Sequence, residues 1–188
     1  MRFFSRRFVV FVACVTVLAS PAFAQSAQMV PHVRPDAGLV SLVADAARRS
    51  PTIRSLIERL ETLDVTVYIR RQRFPQLDLQ GRIGLLSTAG SHRYLVIELA
   101  CMRTELPEMS ILGHELFHAV EIGSESSIVD ARSLAAFYSR IGMLVDNSGG
   151  RRSFETKGAA EAGRQTLREL VFSPRRSVAS APATPHPD

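Results

Sequence analysis

Apolar residues recur at intervals of three and four positions in several stretches of the chain, and this spacing predicts amphipathic helices. In one stretch Ile53 and Leu56 share a face, and Ser50-Pro51 supplies a cap followed by a proline at the first helical position. Ser127 and Ser153 are the predicted caps of the last two helices. The predicted helices cover residues 38–49, 51–62, 107–122, 127–141 and 153–171.

Strict alternation of apolar and polar residues marks the strands instead. Valine and isoleucine alternate with polar residues over 64–71, which predicts a half-buried strand. Two further apolar runs, 81–87 and 93–100, flank the turn-forming segment 88–92 and predict a β-hairpin. The sequence therefore predicts an α+β fold in which a small antiparallel sheet packs against helices within a single domain.

The first 24 residues have the pattern of an export signal. Three arginines precede an apolar run at 8–18, and Ala22-Phe23-Ala24 has the small-x-small spacing of a cleavage site. The run is shorter than the roughly 20 residues that a membrane-spanning helix needs. We therefore expect a periplasmic or secreted protein that keeps no stable membrane anchor after cleavage near Ala24.

The remaining chain divides by composition. Residues 25–36 are polar and contain Pro31 and Pro35, so they predict a flexible leader. Residues 37–172 carry the periodic segments and predict the folded domain, and residues 173–188 are too poor in apolar side chains to fold.

Charge and cysteine content argue against a nucleic-acid-binding protein and against a disulfide-rich protein. Loss of residues 1–24 removes three arginines and no acid, so the formal net charge falls from +5 to +2, and no basic stripe indicates a nucleic-acid partner. Cys14 would leave with the signal, so Cys101 remains without a pairing partner and no disulfide framework is predicted. Composition does not indicate an oligomeric state.

The helix predicted at 107–122 contains the segment His114-Glu115-Leu116-Phe117-His118. Two histidines four residues apart lie one turn apart on one helix face, where their ring nitrogens can bind one Zn²⁺. Glu115 is rotated by about 100° from His114 and can act as a general base toward a water at the metal. The flanking residues carry no charge, as expected for a helix that is buried on most sides.

A catalytic zinc site needs a third protein ligand. On the last predicted helix Glu155 shares its side with Ala159 and Ala162, whose small side chains allow another helix to approach. Glu155 is therefore the preferred third ligand, and Glu161 lies on the polar face of that helix. The alternatives that stay open are Glu121, Glu125 and Asp130.

The two motif histidines, followed 37 residues after the second by a glutamate that opens a further helix, resemble the gluzincin branch of the zincin metallopeptidases. The resemblance covers residues 93–170. It implies a zinc ion held by His114, His118 and Glu155, a catalytic base at Glu115, and a peptide or protein substrate.

The chain departs from the thermolysin-like pattern at two positions. Phe154 stands where those proteins have Asn before the third ligand, and Ala159 stands where they have Asp four residues after it. The acid that orients a ligand histidine is therefore missing from its usual place. Asp130 or Glu121 can take over that function.

The leading functional interpretation is an exported zinc-dependent peptidase. The alternatives are a zincin-like protein that binds zinc without cleaving peptides, and an envelope interaction protein in which the motif is coincidental. Candidate donors to a transition-state oxyanion, each with a simpler structural explanation, are Tyr138, His92 and Arg103.

Overall fold

A computed structural model describes residues 31–75, 79–146 and 153–173. The predicted signal at 1–24, half of the predicted leader and almost all of the predicted tail lie outside these residues. The helices are α1 (Val40–Arg49), α2 (Pro51–Leu60), α3 (Glu105–Ser124), α4 (Ala131–Ile141) and α5 (Lys157–Phe172). The strands are β1 (Val33–Pro35), β2 (Val65–Gln72), β3 (Gly81–Ala89), β4 (His92–Ala100), β5 (Met143–Asp146) and β6 (Ser153–Glu155).

A four-stranded sheet in the order β1-β2-β4-β3 forms the centre of the fold. The mixed α and β class is confirmed, and so is the antiparallel hairpin of β3 and β4. The strand directions elsewhere differ from the prediction, because β1 pairs with β2 and β2 with β4 in parallel. The segment containing α1 and α2 supplies the long crossover that parallel β1 and β2 require.

Strand β1 falls within the predicted flexible leader. Val33 and Pro35 align with Val67 and Ile69 of β2, so the described fold already begins before residue 37. A proline is tolerated there because β1 lies at an edge of the sheet. A strand of three residues has no readable period, which is why only the prolines were informative in the sequence.

The core lies between the sheet and the helices. The helix α2 begins where Ser50 Oγ accepts a hydrogen bond of 3.1 Å from Ile53 N, as the cap pattern predicts. Its apolar face is buried together with α3 and the central strands. Fully buried members of this core include Ile53, Leu60, Leu95, Ile97, Leu112 and Leu116.

Helices α3 and α5 approach each other closely because glycines replace side chains at their interface. A Cβ at Gly113 would lie 2.2 Å from Thr166 Oγ1, and one at Gly163 would lie 3.3 Å from the Cβ of His114. Only residues without a side chain allow these backbones to come so near. The close contact brings the start of α5 beside the motif helix.

The starts of the last two helices differ from the prediction. The helix α5 begins after Thr156, whose Oγ1 accepts from Ala159 N at 3.2 Å, so Glu155 lies outside the helix in β6. Asp130, not Ser127, caps α4 through a reciprocal pair of hydrogen bonds with Ser133. In both helices a nearby residue with equal capping ability forms the cap in place of the predicted serine.

Strands β5 and β6 form a second, two-stranded antiparallel sheet that the sequence did not predict, in which Met143 faces Glu155. Its strands have four and three residues, too few for an alternating pattern to be distinctive. Among the described residues, no helix combines the length and the apolar character needed to cross a membrane.

Candidate metal centre

The motif histidines occupy the middle of α3, where they project from one face as their spacing predicts. The ring centroids of His114 and His118 are 4.9 Å apart, and the rings meet nearly edge to face. His118 is buried, with 4% of its surface exposed, whereas His114 is partly open. The pair therefore forms one wall of a shallow, mostly buried site.

Glu155 reaches both histidines from the end of β6. Its Oε2 lies 3.4 Å from His114 Nε2, and its Oε1 lies 3.8 Å from His118 Nε2. The backbone N–H of Thr156 donates to Glu155 Oε1 at 2.8 Å and holds the carboxylate in this orientation. The strand, and not a helical face, therefore delivers the residue that the sequence selected as third ligand.

These three side chains fit a single small metal ion. One potential ligand atom from each lies within 4.8 Å of the others. Ligand bonds of about 2.0–2.2 Å in tetrahedral geometry place ligand atoms roughly 3.3–3.6 Å apart, close to the separations found between Glu155 and the histidines. His114, His118 and Glu155 can thus hold a metal ion with small side-chain adjustments and leave one coordination position open.

Glu121 supports the site from behind His118 and is not part of the group of three. Its Oε2 lies 2.7 Å from His118 Nδ1, and its Oε1 accepts from Thr156 Oγ1 at 2.8 Å. The Tyr138 hydroxyl donates to the same carboxylate at 3.4 Å. A carboxylate at Nδ1 favours the tautomer that leaves Nε2 free for a metal ion. Glu121 therefore occupies the place of the orienting acid that the sequence lacked.

The other alternative ligands are engaged elsewhere. Glu125 Oε1 accepts from the backbone and hydroxyl of Ser127, and Asp130 is the exposed cap of α4. Neither belongs to the group that can hold a metal ion. Because Asp130 caps α4, it is not the acid that contacts Nδ1 of His118.

The candidate oxyanion donors do not line the cleft that opens beside His114 and Glu115. The Tyr138 hydroxyl is directed to Glu121 and to His118 Nδ1, on the far side of that ring from the free nitrogen. His92 Nε2 lies 2.9 Å from Thr66 Oγ1, on the sheet. Arg103 is exposed in the loop before α3.

Glu115 is buried beside the metal-binding group, with 5% of its surface exposed. Burial raises the pKa of its carboxyl, His118 lowers it and Glu155 raises it, and together these effects bring the pKa to about 7. A carboxylate with a pKa near 7 accepts protons more readily than a solvated one. Glu115 thus has the chemistry of a general base.

The pKa values of the two motif histidines are shifted in opposite directions. Burial, together with the charge of His118, lowers the pKa of His114 to about 4, so this ring is neutral at pH 7 and its nitrogen is free to bind a metal. Burial also lowers the pKa of His118, but its hydrogen bond to Glu121 and the nearby carboxylates outweigh burial and raise the pKa overall. Metal binding at Nε2 would displace the proton that these acids favour.

A cleft of about 330 Å³ opens beside His114 and Glu115. The edge strand β3 forms one side, where a Cβ at Gly81 would lie 3.0 Å from Glu115 Oε1 and 2.5 Å from Ile111 Cγ2. Helix α5 forms the other side and contributes Arg164. The sequence does not indicate that Gly81 and Arg164 belong to the cleft, because their positions depend on how α3 packs against β3 and α5.

Comparison of the chain with protein-family models, with curated proteins and with solved structures finds no match.

Proposed function

We propose that this protein is an exported zinc-dependent metallopeptidase that hydrolyses peptide bonds. The observation that carries the proposal is the convergence of His114, His118 and Glu155 beside the buried carboxylate of Glu115, next to an open cleft that His114 and Glu115 line. A site with only a structural ion would have no need of an acid next to its first ligand. The resemblance of the motif and third ligand to the gluzincins points to the same activity.

The donor set favours zinc. Two imidazole nitrogens and one carboxylate oxygen are typical ligands of catalytic zinc, which keeps a fourth position open, whereas structural zinc sites use four protein ligands. Magnesium and calcium prefer oxygen ligands throughout. Zinc bound here would act as a Lewis acid and lower the pKa of a water molecule at the open position.

The chain's own residues supply proton transfer. Glu115 takes a proton from the attacking water as the water oxygen bonds to the carbonyl carbon, and gives the proton to the amine nitrogen as the C–N bond breaks. Glu121 keeps His118 in the tautomer with Nδ1 protonated.

In this proposal the substrate peptide binds along the edge strand β3. This strand is one edge of the main sheet, so its outer backbone groups face no other strand of that sheet. An extended peptide binds such an edge through main-chain hydrogen bonds. Because β3 begins at Gly81, next to Glu115, a peptide along it would present a peptide bond to the base.

The proposed location outside the cytoplasm rests on the sequence pattern of residues 1–24 alone. The basic start, short apolar run and small residues before the cleavage site support export to the periplasm or beyond. Peptides in those compartments are the substrate pool that the proposal implies.

Cleavage of a mixed peptide library by the purified protein tests the proposed activity. We expect hydrolysis that stops when a chelator removes the metal and returns with a stoichiometric amount of Zn²⁺, while Mg²⁺ does not restore it. Cleavage that is insensitive to the chelator would contradict the proposal. Zinc binding without any cleavage would instead indicate the non-catalytic zinc-binding protein.

The orienting function of Glu121 gives a second prediction. Glu121→Gln should weaken zinc affinity roughly tenfold, because loss of the charge behind His118 makes the ring a poorer ligand. A competition titration against a chromophoric chelator measures the change. Glu125→Gln, in the loop after α3, is the matched control and should bind zinc like the parent. Equal zinc affinity in both variants would show that Glu121 does not support the ligand.

A further inference from the structure

Arg164 is the cationic side chain among the nine described residues that line the cleft beside Glu115. It lines the cleft together with His114 and Glu115, so the arginine lies on α5 close to the residues that can hold the metal ion. About 60% of its side chain is exposed. Arg164 therefore stands at the rim of the cleft and not beside the reacting atoms.

The charges around Arg164 leave it available for another anion. Arg164 Nη2 lies 2.8 Å from Glu161 Oε2, and Arg168 Nη2 lies 2.6 Å from Glu161 Oε1. Two guanidinium groups thus share one carboxylate, and this group of three keeps one positive charge. When Arg164 turns toward the cleft, Glu161 remains paired with Arg168.

We propose that Arg164 binds a carboxylate of the peptide, so that the enzyme selects acidic substrates. This inference rests on the proposed peptidase function. The planar guanidinium matches a carboxylate through two parallel hydrogen bonds. Because Arg164 lines the cleft and most of its side chain is exposed, the bound carboxylate lies at the rim of the cleft. It comes from an Asp or Glu side chain or from the C-terminal α-carboxylate.

Equilibrium binding to zinc-loaded Glu115→Gln protein tests the inference without cleavage. The probes are four fluorescein-labelled pentapeptide pools with the same apolar mixture, carrying Glu or Gln at the centre and a free or amidated C-terminus. We expect a carboxylate-bearing pool to bind roughly fivefold more tightly than its amide counterpart, the size of an exposed ion pair. The pair of pools that shows the difference identifies the source of the carboxylate.

Substitutions on α5 assign the preference to one residue. Adding Arg164→Gln should abolish the preference for the carboxylate, whereas Arg168→Gln, which loses the same partner Glu161 outside the cleft, should retain it. Equal binding of all pools, no binding of any pool, or a preference that survives Arg164→Gln would overturn the inference.

Cleavage of the same pools by the parent protein separates this inference from the proposed function. An Arg164-dependent preference in binding, without any cleavage, would leave the carboxylate site standing and reject the peptidase. Cleavage without a preference for either carboxylate would support the peptidase and reject the carboxylate site.

Discussion

Glu115→Gln is expected to lower the rate of peptide hydrolysis by about 10²–10⁴-fold, the range that general acid–base catalysis contributes. The amide keeps the shape of the side chain but cannot take a proton from the attacking water. Glu115 is the only carboxylate among the described residues that line the cleft, so no neighbouring acid there replaces the base. Initial rates on a cleaved library peptide, measured with zinc-loaded protein, give the change.

Zinc content and thermal unfolding of the same variant must stay close to those of the parent, since Glu115 is not among the three residues that can hold the ion. Glu125→Gln, a carboxylate in the loop after α3, serves as the matched control with unchanged rate. A zinc-loaded Glu115→Gln protein that cleaves at the parent rate would remove Glu115 from the mechanism.

Glu155→Ala should weaken zinc binding by roughly 10²-fold or more, because only two histidines remain and two ligands hold zinc poorly. In the structure this carboxylate faces both histidine rings and is oriented by the backbone of Thr156. A competition titration with a chromophoric chelator measures the loss. Hydrolysis should fall with it at limiting zinc.

Glu161→Ala is the control for this variant. Glu161 is exposed and pairs only with arginines of α5 in the described structure, so both zinc affinity and the free energy of unfolding should stay close to those of the parent. The ligand assignment is wrong if Glu155→Ala retains parent affinity while a change at Glu121, Glu125 or Asp130 releases the ion.

Local features of the site could be predicted from the sequence. The two histidines lie on one helix and are related by the helical period alone, so their common face follows from their spacing. Glu155 was selected for the wrong local reason: it was assigned to a helical face, yet it ends β6. It still reaches the histidines because Thr156 starts α5 immediately after it and α5 packs on α3.

Features that depend on long-range contacts could not be predicted. The parallel pairing of β2 with β4 joins segments whose patterns are equally compatible with an antiparallel neighbour. Arg164 belongs to a polar helical face, and nothing local distinguishes it from Arg168. Only the close contact at Gly113 and Gly163 places Arg164 at the cleft.

Metal analysis of the purified protein tests the central claim most directly. Elemental mass spectrometry should find about one zinc per chain in the parent, and almost none in a variant with both His114→Ala and His118→Ala whose circular dichroism matches the parent. Parent protein that binds no zinc on exposure to the ion, or a folded double variant that retains one zinc per chain, would contradict the account.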